Sequence, residues 1–63
     1  MTMRDLSDEA VKAQAEALHA YLSKPYNRGL DSWLASKDFS PEDVIAVCAE
    51  YMEISWRALK EKA

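Results

Sequence analysis

Phe39-Ser40-Pro41-Glu42-Asp43-Val44 is a complete helix start. Ser40 can accept hydrogen bonds from the first unpaired amides through its hydroxyl. Pro41 takes the first helical position, where its missing N–H costs nothing. Glu42 and Asp43 set negative charge against the positive end of the helix dipole. Phe39, before the cap, is spaced to close onto Val44 as a hydrophobic staple. The helix opened here is predicted over 41–61. Its apolar residues, Val44, Ile45, Val47, Cys48, Tyr51, Met52, Ile54, Trp56 and Leu59, cover an arc of roughly 200° at 100° per residue, where one neighbour requires little more than 100°. Such a helix must touch two neighbours, or one neighbour and another chain.

Working back from this element, a second start appears at Ser7. Asp8 and Glu9 fill the first turn, and Leu6 is spaced to staple onto Val11. Ala10 to Ser23 holds no helix breaker, and Pro25 pushes Lys24 out of the α region, so helix 1 is predicted over about 7–23. Val11, Ala15, Leu18 and Leu22 repeat as i, i+4, i+7, i+11 and form its core stripe. Ala10, Ala13, Ala17 and Ala20 form a second stripe, suited either to close helix approach or simply to an exposed helix. Between the two helices, Tyr26, Leu30, Trp33 and Leu34 keep a helical spacing. Helix 2 therefore runs over 25–36, or over 30–36 if Gly29 ends a loop, because glycine inside a helix costs about 1 kcal/mol relative to alanine.

The expected fold is all-α: a small three-helix bundle, residues 1–63 as one domain, with a long and broadly apolar C-terminal helix. Short connections make sequential helices antiparallel neighbours. The core is expected where Trp56, Tyr51, Met52, Val47, Val44 and Leu59 meet Val11, Leu18, Leu22, Leu30 and Leu34. With 63 residues the core is small, and chains of this size usually need a staple or a partner. Cys48 is the only cysteine and His19 the only histidine, which excludes an internal disulfide and leaves no zinc ligand set.

Most functional classes find no residues here. One glycine, Gly29, excludes a phosphate-binding loop, and its neighbours Arg28 and Leu30 exclude a calcium loop. His19 is expected on the wet face of helix 1 and Cys48 as an inert thiol inside an apolar arc. No catalytic residue, cofactor or metal is expected, and the chain is read as not an enzyme. No apolar stretch reaches the length of a membrane span, and Met1 to Glu9 shows no secretory pattern, so a cytoplasmic setting is expected. The chain is acidic, with a net charge of −3. Residues 24–37 reverse that sign: Lys24, Arg28 and Lys37 against Asp31 give a local +2 and leave the rest at −5. Acidic Glu42 and Asp43 at the start of helix 3 argue against a helix-turn-helix DNA reader, whose recognition helix presents that end to the bases.

Tyr, Trp and Arg dominate binding hot spots. The contact surface is accordingly expected to involve Tyr26, Arg28, Trp33, Ile54 and Trp56, although a large aromatic such as Trp33 also suits burial. The leading functional expectation is a small non-enzymatic protein–protein interaction module, an adaptor, inhibitor or accessory subunit, that binds a protein partner or forms a homo-oligomer. The alternative is a nucleic-acid-associated regulator using Lys24, Tyr26, Arg28 and Lys37, by stacking and phosphate contact.

Overall fold

The structure, a computed structural model, describes residues 5–62, and within them both serine caps form. Three helices follow one another: α1 (Asp8–Ser23), α2 (Leu30–Lys37) and α3 (Pro41–Lys62). No strand occurs among the described residues. The Ser7 hydroxyl accepts the Ala10 N–H at 3.2 Å, and the Ser40 hydroxyl accepts the Asp43 N–H at 3.3 Å. Lys24 adopts extended backbone immediately before Pro25 and ends α1.

The connection from α1 to α2 is held by Asn27. Its amide donates to the Lys24 carbonyl at 3.0 Å, and its side-chain oxygen accepts the Gly29 N–H at 3.0 Å. The Tyr21 hydroxyl accepts the Arg28 N–H at 2.9 Å and pins the loop to the end of α1. Gly29, at φ 92° and ψ 170°, then redirects the chain into α2. That conformation belongs almost only to glycine. The shorter of the two expected spans for helix 2 is therefore the observed one. Asp38, in the left-handed conformation at φ 54°, terminates α2.

α1 and α3 run parallel. Asp8 and Lys12 sit beside Ala46 and Glu50, and Glu16 sits beside Glu53 and Arg57. α2 connects the end of α1 to the start of α3 and packs against α1. The two starts are tied together. Asp43 is 2% exposed and its Oδ1 accepts the Leu6 N–H at 3.0 Å, the residue just before the cap of α1. Asp43 thus serves α1 as well as the dipole of its own helix.

Val11, Ala15, Leu18, Trp33 and Val47 are buried and form the core. Leu22, Leu30, Leu34, Phe39, Tyr51 and Ile54 pack around them, with the Trp33 and Phe39 rings edge to face at 6.0 Å. Ala15, fully buried, allows α1 and α3 to approach closely. Ala13, Ala17 and Ala20 are exposed, so the second alanine stripe is an ordinary exposed helix face.

One core expectation is overturned. Met52, Trp56 and Leu59 are 67%, 60% and 60% exposed. At 100° per residue they lie roughly 120–180° around α3 from Val47, and α1 already occupies the Val47 side. α2 would have to cover the other side, but its eight residues span about 12 Å against about 33 Å for α3. The molecule is accordingly elongated: its radius of gyration is 12.2 Å, where a compact chain of this length has about 10.6 Å.

Candidate functional site

The exposed large apolar side chains of α3 are not scattered. Ile45, Met52, Trp56 and Leu59, 60–69% exposed, fall within roughly 60° on the helix wheel, opposite Val47 and Ile54. Half-buried Cys48 and Ser55 border the same stripe. Tyr51, Met52, Ser55, Trp56 and Leu59 line a shallow, mostly apolar hollow toward the C-terminal end. The Lys60 ammonium sits 5.9 Å from the Trp56 ring centroid, a cation–π contact that leaves most of the ring in water. α3 therefore has two opposed apolar faces. One packs on α1, and the other faces solvent over most of the helix length.

Of the residues expected on a contact surface, Trp56 lies on this face. Ile54 does not. It is half-buried and packs against the core, because it is a heptad from Val47 and shares that side of the helix. Trp33 is corrected in the same way. At 7% exposure it is a core residue, its ring covered by Phe39 on one side and by the Lys37 ammonium at 5.1 Å on another. Ile45, Met52 and Leu59 take their place. The signal for them was present in the sequence as an exact heptad spacing, 45, 52 and 59.

The basic and aromatic segment is divided by the fold. Lys24, Tyr26 and Arg28 stand together in the loop after α1, all exposed, with Tyr26 at 93%. Lys37 sits at the far end of α2, about 12 Å along that helix, and is engaged with Trp33. The four do not form one surface.

His19, expected in water, is half-buried at the α1–α3 seam, its ring 6.1 Å from that of Tyr51. Cys48 is half-buried at the border of the outer face rather than inside the core. The hollow between Lys12, Glu16, Glu50, Glu53 and Arg57 is polar, and the Arg57 guanidinium donates to Glu53 Oε1 at 2.6 Å. That exposed pair contributes only about 0.3–0.5 kcal/mol. No group of three or more His, Cys, Asp or Glu placed to hold a metal ion occurs among the described residues. No helix among them is long and apolar enough to cross a membrane. Comparison of the chain with protein-family models, with curated proteins and with solved structures finds no match.

Proposed function

We propose that this chain is a small non-enzymatic protein-interaction module, an adaptor, inhibitor or accessory subunit of the cytoplasm, that acts by associating with itself through the outer face of α3. The observation that supports this reading is the alignment of Ile45, Met52, Trp56 and Leu59, each at least 60% exposed, along one face of one helix. Single exposed apolar residues are ordinary on protein surfaces, whereas contiguous patches mark interaction sites. Trp56 is the natural anchor, since tryptophan is the side chain most enriched among binding hot spots.

The test is the mass of the chain in solution by sedimentation equilibrium over a wide concentration range. Trp56→Glu should weaken association by at least about 2 kcal/mol, roughly 30-fold in Kd, while circular dichroism shows unchanged helix content. A wild-type chain that stays monomeric at the highest concentration refutes the reading. The second reading, nucleic-acid association, retains one supporting observation: Tyr26, 93% exposed, stands between exposed Lys24 and Arg28. It requires retention on single-stranded nucleic acid that weakens with added salt and is lost on Tyr26→Ala.

A further inference from the structure

The outer face of α3 is laid out about Met52. Ile45 and Leu59 lie seven residues before and after it, Cys48 and Trp56 four before and after, and Ala49 and Ser55 three before and after. Every helix face has this symmetry of position, but here the matched side chains suit an antiparallel pairing, the one bulky ring facing a small side chain and the other pairs being alike in size. Large Trp56 matches small Cys48, Ala49 matches Ser55, and branched Ile45 matches branched Leu59. Charge divides about the same point. Pro41 to Glu53 carries Glu42, Asp43, Glu50 and Glu53 with no cation, and Ile54 to Lys62 carries Arg57, Lys60 and Lys62 against Glu61 alone.

We infer that the outer face of α3 is covered by the same face of a second copy of this chain, the two α3 helices running antiparallel about a twofold axis at Met52. The inference rests on the self-association proposed above and gives it a geometry. In this pairing Met52 meets its counterpart, Ile45 meets Leu59 of the second copy, and Trp56 meets the small Cys48. The acidic half of each α3 lies beside the basic half of the other, and the helix dipoles oppose. A parallel pairing has the reverse character. It sets Trp56 against its counterpart in one layer, leaves Cys48 and Ala49 against theirs in another, and aligns Glu53 with Glu53 and Lys60 with Lys60. The area suffices. At 60–69% exposure the four large side chains offer on the order of 500 Å² per chain, so a pair buries on the order of 1,000 Å², the threshold for a specific interface.

Disulfide trapping tests the arrangement. In a Cys48→Ser background, which removes the only native thiol, Met52→Cys and Lys60→Cys are made separately. Both positions are exposed, so helix content should be unchanged by circular dichroism. Solution mass is measured before mild oxidation with copper phenanthroline. A dimer in which Met52→Cys crosslinks nearly completely and Lys60→Cys stays reduced supports the antiparallel pairing, which separates the two Lys60 positions by about 24 Å along the axis. A dimer crosslinked through Lys60→Cys overturns this geometry and leaves the interaction module standing. A dimer that crosslinks at neither position overturns the outer face as the seam. A wild-type chain that stays monomeric in the same mass measurement overturns both proposals.

Discussion

Gly29→Ala separates two ways of building residues 24–30, because they predict opposite signs. In a helix running from Pro25, the change would add about 1 kcal/mol of stability, the difference in helix propensity between the two residues. In the structure Gly29 has φ 92° and ψ 170°. A residue with a side chain held there costs about 1–3 kcal/mol. A Cβ on Gly29 meets nothing within 4 Å, so the cost lies in the backbone of the residue itself and no neighbour can relieve it by moving. Alanine also restricts the unfolded chain, which offsets about 0.4–1 kcal/mol. The net expectation is a loss of about 1–2 kcal/mol. Rotation of φ to negative values offers no escape. It would swing α2 as one body relative to the loop that Asn27 and Tyr21 hold, and would carry Trp33 out of the core. At about 4–8 °C per kcal/mol for a chain of this size, Tm should fall by roughly 5–15 °C. The assay is thermal denaturation followed by circular dichroism, with wild type and variant at one protein concentration because association would shift Tm. An unchanged or raised Tm would falsify the loop geometry argued for Asn27 and Gly29.

Asp43→Ala should cost about 1–3 kcal/mol in urea denaturation, since it removes the buried acceptor of the Leu6 N–H, whereas Asp43→Asn keeps an acceptor and should cost less than half as much. A loss below about 0.5 kcal/mol for Asp43→Ala would show an ordinary first-turn acid instead of a tie between helix starts. Trp33→Ala should remove about 3–5 kcal/mol, most of the stability of a chain this small, and be visible as lost helix by circular dichroism. Tyr26→Ala, at the most exposed aromatic, should stay within about 0.5 kcal/mol, and equal effects of the two would contradict their assignment to core and surface. If the native chain self-associates, its Tm should rise with protein concentration and that rise should vanish in Trp56→Glu; a Tm independent of concentration in the wild type argues against association.

The helix starts were legible because capping is local chemistry. Ser7 and Ser40 each need only the next three residues to act, and both act as their sequence implies. The start of α2 was not decidable, because Tyr26, Leu30, Trp33 and Leu34 keep helical spacing whether or not the chain is helical before Gly29. Asn27, bonding to both Lys24 and Gly29, closes the loop through contacts that no periodicity records. The breadth of the apolar arc on α3 was legible too, but its allocation between core and surface was not. That allocation depends on where α1 lies and how short α2 is, so Met52 and Leu59 read as core and Trp56 reads equally as core and as contact surface. Trp33 and Ile54 failed as surface candidates for the same reason. Asp43 reads as one more acid at a helix start, and only the approach of Leu6 from 37 residues away gives it a second role.

The contrast between the two long helices is what favours the proposed covering of the outer face of α3. α1 and α3 pack one apolar face each on the other, and both turn a second face to solvent. On α1 that second face carries Lys12, Ala13, Glu16, Ala17 and Ala20, small or charged residues with high helix propensity. On α3 it carries Ile45, Met52, Trp56 and Leu59. Lysine or glutamate at those four positions would hold the helix as well or better, since isoleucine and tryptophan are the poorer helix formers. They would also remove an apolar patch from water. The packing of the single chain accounts for the outer face of α1 and leaves that of α3 without a stabilising role. Under the proposed association, the missing term is the free energy gained when the face is buried. Because α3 also supplies Val47 to the core, such a gain would stabilise the very helix on which the fold of the chain depends.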